Sequence, residues 1–166
     1  MGADSSEIEE EKLERLKNET DIKSSDIKKC HEKFKALDKE KKGFVSITDL
    51  VNIPEFSKNP LRYHVAQNMS NNNNNDAINF ESFMKVMDIF KNNKTEKQYK
   101  FMYELFDIDR DGKISSEDML VTFKLLLGCS LNEEQIMEIV DKTIREYSSD
   151  QKYIYYKDFV RIMNEA

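Results

Sequence analysis

The amino-acid sequence predicts an all-α protein in which four helix–loop–helix units form two lobes. Helix breakers are scarce, with 4 Gly and 2 Pro in 166 residues, and Ile, Leu, Met and Phe recur at helical spacing. A twelve-residue loop pattern also recurs, with Val or Ile at its eighth place and a new helical stretch after it. We number these loops 1 to 4, and they occupy residues 38–49, 71–82, 107–118 and 147–158. Such a repeat predicts helix–loop–helix units along most of the chain.

The apolar eighth place of each loop predicts that the units come in pairs. A single unit cannot cover its own apolar face, so two units are needed to enclose a core. We expect the eighth residues of paired loops to point inward and to form short β-bridges: Val45 with Ile78, and Ile114 with Ile154. The predicted organisation is an N-terminal arm at 1–20, a first lobe at 21–90, a linker at 91–95 and a second lobe at 96–166.

In the arm and the first lobe, caps, prolines and apolar side chains mark the helices. Ser6 and Glu9 have the spacing of a capping box at the start of a polar helix. Pro54 predicts the end of the helix that follows loop 1, because the residue before a proline disfavours helical geometry. Asn59 and Pro60 predict the start of the next helix. The predicted core-facing residues of the two outer helices are Ile27, Cys30, Phe34, Leu37, Phe80, Phe83, Met87 and Phe90.

In the second lobe, two capping-box patterns mark the helix starts. One pairs Thr95 with Gln98, and the other pairs Ser130 with Glu133. Apolar side chains at helical spacing follow each of them: Phe101, Met102, Leu105 and Phe106, then Ile136, Ile139, Val140 and Ile144. The last helix presents Phe159, Ile162 and Met163 on one face, which completes the predicted core of this lobe.

Loop 3, DIDRDGKISSED, has the ligand pattern of a cation-binding EF-hand loop. Such a loop supplies oxygen atoms from places 1, 3, 5, 7, 9 and 12, with Gly at place 6 for the sharp turn. The matching residues are Asp107, Asp109, Asp111, Lys113 through its carbonyl and Ser115 through a water. Asp118 stands at place 12, where Glu is usual, and its shorter side chain supplies one oxygen in place of two. We therefore predict one divalent-cation site, with a weakened preference for Ca²⁺ over Mg²⁺.

The other three loops lack parts of this ligand set. Loop 1 has Lys42 at place 5, where an ammonium group repels a cation. Loop 2 is largely Asn and ends in Ser82, and neutral amides balance a double charge poorly. Loop 4 begins with Tyr147 and has Lys152 at the glycine place. We interpret these as degenerate loops that keep the pairing, so the predicted fold is two lobes of paired EF-hands with one working loop.

The helix after loop 3 carries an unusually apolar sequence, MLVTFKLLLG at 119–128. One stripe of such a helix can face its own core, and the rest is exposed unless another molecule covers it. We predict that a groove for an amphipathic helix of a larger protein includes Met119, Phe123, Leu126 and Leu127.

Composition limits the environment of the protein. Charged residues make up 35% of the chain, and its net charge of −6 with scattered basic residues argues against nucleic acid as a partner. The N-terminus has no apolar signal segment, and Cys30 and Cys129 lie far apart, so we expect a cytoplasmic protein with reduced thiols. MGADSS fits the myristoylation pattern at Gly2, although one acyl chain gives only weak membrane association.

Several longer segments resemble the calcineurin B and calcineurin B homologous protein family. They are LERLKNET, IKKCHEKFKALD, NIPEFSKNPL, FMYELFDIDRDGKIS and LLLGCSLNEEQIMEIVDKTI, and the likeness covers nearly all of 7–163. The resemblance implies a calcium-binding, myristoylated regulatory subunit that associates with an amphipathic helix of a protein phosphatase catalytic subunit. The residues that carry over as its cation site are Asp107, Asp109, Asp111, Lys113 and Asp118. The three degenerate loops depart from the pattern of calcineurin B, which usually has more working loops.

The same sequence features are compatible with other functions. A myosin light-chain-like structural subunit also has degenerate loops, and a calcineurin B homologous adaptor binds a kinase segment or an ion-exchanger tail. A free calcium buffer is expected to keep more working loops than one. We predict no enzymatic activity, because no Ser/His/Asp order, Gly-rich phosphate loop or zinc-ligand spacing occurs and His31 and His64 stand alone.

Overall fold

The computed structural model describes residues 8–70, 76–91 and 96–165, and this part of the chain is mainly helical with a two-stranded sheet. By its internal contacts the chain divides into two compact units, Met1–Asn93 and Lys94–Ala166. Each unit contains helix–loop–helix elements joined at their loops, which confirms the predicted all-α EF-hand fold. None of the described helices combines the length and apolar character needed for a membrane span.

In the first unit, helices precede, separate and follow the two strands of a short sheet. Its elements are α1 Glu10–Glu19, α2 Ser24–Leu37, β1 Phe44–Ser46, α3 Ile47–Val51, α4 Pro54–Ser57, α5 Arg62–Met69, β2 Ala77–Asn79 and α6 Phe80–Lys91. Strands β1 and β2 are antiparallel, and Val45 lies opposite Ile78 as predicted. Both side chains are buried with Ile27, Leu50 and Met84, so the two loops close over the core of this unit.

Helix α1 packs within the first unit, whereas the sequence predicts a separate arm. Leu13 and Leu16 are buried, and Leu16 is fully excluded from solvent. On the polar side of the helix, Lys12 and Arg15 contact Oε1 of Glu81 on α6 at 3.0 and 3.2 Å. The structure differs from the prediction because Leu13 and Leu16, three residues apart, lie on one face of α1 and are buried, while ion pairs hold its charged side.

The second unit contains four helices and a single bridge between loops 3 and 4, within the part of the chain that is described. Its helices are α7 Glu96–Phe106, α8 Ser116–Leu127, α9 Glu133–Tyr147 and α10 Tyr156–Glu165. Ile114 and Ile154 exchange backbone hydrogen bonds of 3.0 and 2.9 Å, which confirms the predicted bridge. The buried core cluster consists of Tyr103, Ile114, Met119, Ile136, Val140, Ile144, Ile154 and Phe159.

The start of α9 differs from the predicted capping box at Ser130. Asn132 is the N-cap residue, and its side-chain oxygen accepts the N–H of Gln135 at 2.9 Å. The Gln135 side chain accepts the N–H of Asn132 in return, at 3.0 Å. Asn is as effective an N-cap residue as Ser, so the capping box of Asn132 and Gln135 satisfies the helix start as well as the predicted box of Ser130 and Glu133 would. The predicted boxes at Ser6 and Thr95 begin outside the described residues.

The helix boundaries around the two prolines are partly as predicted. Helix α3 ends at Val51, before Pro54, as expected. Pro54 then occupies the first turn of α4, where a missing N–H costs no helical hydrogen bond. Helix α5 begins at Arg62 and not at Pro60, because the side-chain oxygen of Asn59 accepts the N–H two residues later at 2.9 Å and forms a turn.

Thr122 on α8 has a fully buried hydroxyl with no hydrogen-bond partner within the part of the chain that the structure describes. An unsatisfied buried hydroxyl costs about 1–3 kcal/mol, and valine has a similar shape. We expect Thr122→Val to raise the free energy of unfolding by about 1 kcal/mol, measured by urea denaturation. The matched control is Thr143→Val, since that hydroxyl donates to the carbonyl of Ile139 at 2.7 Å. A gain in the control, or none at Thr122, contradicts the expectation.

Candidate metal centre

Loop 3 folds around the carboxylate of its first residue, Asp107. Oδ1 of Asp107 accepts the N–H of Asp111 at 3.1 Å, and Oδ2 accepts the N–H of Gly112 at 2.8 Å. Gly112 has a φ of +85°, a left-handed conformation that glycine adopts without steric cost. The residue pattern of Asp at place 1 and Gly at place 6 therefore forms the sharp turn that the sequence predicts.

Asp118 closes the other end of loop 3 as part of a capping box. Its Oδ2 accepts hydrogen bonds from the N–H of Ser115 at 2.9 Å and from the Ser115 hydroxyl at 2.8 Å. The Ser115 hydroxyl in turn accepts the N–H of Asp118 at 3.1 Å. The loop pattern assigns Ser115 to a water and misses this role, although a Ser followed three residues later by an acid is a capping signal. These bonds hold the Asp118 carboxylate toward the loop.

Three of the predicted ligands lie together. Asp107, Asp109 and Asp118 each have a carboxylate oxygen within 4.8 Å of the others. Asp107 and Asp118 are buried, with 6% of each residue exposed. Burial raises the pKa of the Asp107 carboxyl, and the hydrogen bonds from the N–H groups of Gly112 and Asp111 oppose that change. Two of the three carboxylates are buried and Asp109 is exposed. Carboxylates at this separation repel one another, so the all-oxygen cluster fits a hard divalent cation between them.

Asp111, the remaining predicted carboxylate ligand, lies outside this cluster. Its Oδ1 accepts the N–H of Lys113 at 3.1 Å, and its Oδ2 lies 3.9 Å from the Lys113 ammonium nitrogen. That ammonium nitrogen also lies 4.2 Å from the centre of the Tyr153 ring. Asp111 is exposed, so packing does not fix its side-chain rotamer.

Loop 1 has the backbone frame of loop 3 but a different charge pattern. Asp38 accepts the N–H groups of Lys42 and Gly43 at 2.9 and 2.7 Å, as Asp107 does in loop 3. Gly43 has a φ of +81°. The Lys42 ammonium forms an ion pair with Glu40, at the third place of the loop. Loop 1 therefore already contains a positive charge beside its acidic residues.

Loop 4 is closed by its own side chains. Asp158, at place 12, accepts hydrogen bonds from the Ser149 hydroxyl at 2.5 Å and from the N–H of Tyr155 at 3.2 Å. Asp150 accepts two backbone N–H groups at 2.9 Å and the Tyr155 hydroxyl at 2.8 Å. The N–H of Tyr153, first among these donors, lowers the pKa of the Asp150 carboxyl. In loop 2, the asparagine run at 71–75 lies outside the described residues.

The four residues predicted to line a partner groove do not share one environment. Met119 is part of the buried core cluster and is not accessible in the free chain. Phe123 is half-buried with its ring centre 5.9 Å from that of Phe106, and Leu127 is half-buried. Leu126 is 41% exposed. The first apolar residue of α8, Met119, is buried in the core, whereas Val121, Leu125 and Leu126 are exposed. Gly2 lies outside the described residues.

Comparison with models of protein families finds no match, whereas curated proteins match over nearly the whole chain. Calcineurin B of Naegleria gruberi is 32% identical over 167 residues, covering 99% of this chain and 93% of the relative. The type 1 calcineurin B of Dictyostelium discoideum is 32% identical over 165 residues, covering 98% and 91%. Calcineurin B of Yarrowia lipolytica is 32% identical over 144 residues, covering 86% and 82%. The similarity therefore extends over both units.

Proposed function

This protein belongs to the calcineurin B family, and we propose on that basis that it is a calcium-binding regulatory subunit of a calcineurin-type phosphatase. In this proposal, it binds an amphipathic helix of the catalytic subunit, and one cation in loop 3 stabilises the second unit. The observation that carries the proposal is the full-length similarity to proteins named as calcineurin B, together with the carboxylate cluster of loop 3.

The cation ligands in this proposal come from loop 3 alone. Asp107, Asp109 and Asp118 contribute one carboxylate oxygen each, and Lys113 contributes its carbonyl. Asp111 joins them when its side chain turns inward, and a water can complete the shell. Ca²⁺ takes 6–8 oxygen ligands, while Mg²⁺ requires a near-octahedral set, so a shell of about six oxygens accommodates either ion. Loops 1, 2 and 4 bind no cation in this proposal. Lys42 pairs with Glu40 in loop 1, loop 2 has mainly neutral amides, and the carboxylates of loop 4 accept hydrogen bonds from within the loop.

The proposed partner surface lies at the C-terminal end of α8. Leu126 is seven residues after Met119 and three after Phe123, so it continues the helix face that enters the core. It is nevertheless 41% exposed in the isolated chain. An amphipathic helix packed on Phe123, Leu126 and Leu127 would cover this end of the face and extend the core, as in helix-in-groove recognition.

Affinity capture with the tagged full-length chain tests the partner. The expected result is recovery of a serine/threonine phosphatase catalytic subunit from a lysate of the source cells, identified by mass spectrometry. Recovery of a myosin heavy chain without a phosphatase supports a light-chain-like subunit and overturns the proposal. Recovery of a kinase or an ion exchanger in its place supports the calcineurin B homologous adaptor instead.

Acylation at Gly2 is a separate part of the proposal. The N-terminal sequence MGADSS carries the acceptor pattern, and one acyl chain adds weak membrane affinity. The intact mass of the protein purified from its natural source decides this point. An unmodified glycine at that terminus rejects acylation and leaves the assignment as a regulatory subunit unaffected.

Asp118→Glu is expected to raise the affinity for Ca²⁺ by roughly tenfold, with a smaller change for Mg²⁺. The added methylene lets the carboxylate supply two oxygens, and Ca²⁺ accepts the extra ligand more readily than Mg²⁺ does. Calorimetric titration with each ion measures both dissociation constants. Glu117→Asp on the same turn provides the control, since Glu117 is exposed. Unchanged Ca²⁺ affinity in Asp118→Glu means that the short side chain does not limit the site.

A further inference from the structure

We propose that Tyr103 is a positioning residue for the cation site, whose hydroxyl fastens loop 3 to loop 4 and so preorganises the loop that binds the ion. The inference rests on the proposed cation site in loop 3. It adds a residue of α7 that lies outside the twelve-residue ligand pattern, together with a role for the degenerate loop 4.

The Tyr103 hydroxyl reaches both loops of the second unit. Tyr103 is on α7, four residues before Asp107, and only 6% of it is exposed. Its hydroxyl donates to the carbonyl of Gly112 at 2.9 Å and lies 3.2 Å from the carbonyl of Ile154. Gly112 belongs to loop 3 and Ile154 belongs to loop 4, so one buried donor is shared between the two loops.

Gly112 is thereby held from two sides. Its N–H donates to Oδ2 of Asp107 at 2.8 Å, and its carbonyl accepts from Tyr103. The next residue, Lys113, carries the backbone carbonyl that the loop pattern assigns as a ligand. The residue after that, Ile114, donates its N–H to Ile154 at 3.0 Å. Tyr103 therefore fixes the peptide group that precedes the Lys113 carbonyl. The hydrogen bond to Asp107 holds the chain before this group, and the bridge to Ile154 holds it after.

Loop 4 is held in its conformation by its own hydrogen bonds and does not need a cation. Its carboxylates at Asp150 and Asp158 accept hydrogen bonds from within the loop, including the Ser149 hydroxyl. The Ile154 carbonyl in this loop faces both the Tyr103 hydroxyl and the Ile114 N–H. A loop that is already closed restricts the conformations of its partner, so loop 3 loses less entropy when it binds the ion.

Tyr103→Phe removes this hydroxyl and retains the ring contacts with Tyr156 and Phe159, whose centres lie 5.5 and 5.6 Å away. We expect the dissociation constant for Ca²⁺ to rise roughly three- to tenfold, the effect of one lost hydrogen bond. Calorimetric titration of the full chain with calcium chloride measures it. Tyr156→Phe is the matched control, because the Tyr156 hydroxyl, although its residue belongs to loop 4, lies 3.4 Å from the carbonyl of Glu96 on α7. The control should keep the wild-type constant.

Thermal unfolding with and without saturating Ca²⁺ separates positioning from general stability. A residue that only stabilises the fold lowers the melting temperature equally in both conditions and leaves the dissociation constant unchanged, which would overturn the inference. A positioning residue lowers it more in the presence of Ca²⁺, because binding and folding are linked. Failure of the wild-type chain to bind Ca²⁺ removes the cation site itself, and with it this inference, whereas equal binding by wild type and Tyr103→Phe removes the inference alone.

Ser149→Ala is a second variant that keeps the inference testable if Tyr103→Phe does not fold. It removes a hydrogen bond that closes loop 4 and leaves every ligand of loop 3 intact. We expect it to raise the dissociation constant for Ca²⁺ by about two- to fivefold through the looser loop 4. A wild-type constant in this variant contradicts the coupling between the loops.

Discussion

Asp107→Asn is expected to raise the dissociation constant for Ca²⁺ by about a hundredfold or more, since one buried charged ligand is worth roughly 3 kcal/mol. The Asp107 carboxylate accepts two backbone N–H groups of the turn, and it also belongs to the carboxylate cluster of loop 3. Asn keeps one side-chain oxygen to accept one of the two backbone N–H groups of the turn, but its amide nitrogen cannot accept the other and the negative charge is lost. Calorimetric titration with calcium chloride measures the constant.

The control for this substitution is Asp141→Asn on α9. Asp141 is exposed and lies outside all four loops, so this variant loses the same formal charge without changing the cluster. It should bind Ca²⁺ with the wild-type constant. Equal constants in Asp107→Asn and wild type would show that the cation lies elsewhere, and equal losses in both variants would indicate a general effect of net charge.

Leu126→Asp is expected to reduce the affinity for the purified catalytic subunit of a calcineurin-type phosphatase about a hundredfold. An apolar side chain at the centre of an interface contributes about 2 kcal/mol or more, and a buried unpaired carboxylate adds a desolvation cost. Because Leu126 is 41% exposed in the free chain, its replacement should change the stability of the isolated protein little. Surface plasmon resonance with the immobilised chain measures the affinity.

Val121→Asp is the matched control on the same helix. Val121 is 45% exposed, similar to Leu126. The two residues are five positions apart, which places them about 140° apart around the helix axis. Val121→Asp should retain the affinity of the wild-type chain. Equal losses in the two variants would mean that the partner does not select the core-side face of α8, and full binding by Leu126→Asp would reject the proposed surface.

The fold could be predicted because its signals are local and repeat. An apolar residue at the eighth place of each loop forms a pair across the loops, and the structure contains both Val45 opposite Ile78 and Ile114 opposite Ile154. The helix starts were less predictable. Ser130 and Asn132 each begin a sequence that matches a capping box. The two caps differ little in free energy, so the local sequence does not show which one starts the helix.

The carboxylate cluster of loop 3 was also largely predictable from the chain. Asp107 and Asp109 are brought together by the turn that Gly112 permits, within six residues. Asp118 joins them because the capping box with Ser115 fixes the first turn of α8. Asp111 is different, since an exposed side chain has several rotamers of similar energy and its place in the sequence does not select one.

The loop spacing, the paired units and the carboxylates of loop 3 follow from the order of the residues alone, because they depend on backbone geometry over a dozen residues. Which residues are accessible, and which distant groups meet, depends instead on how the helices pack. That packing buries Met119 in the core and leaves Leu126 exposed on the same helix. It also brings the Tyr103 hydroxyl to Ile154, 51 residues along the chain. Burial and long-range hydrogen bonds join separate helices, and no local pattern specifies how those helices meet.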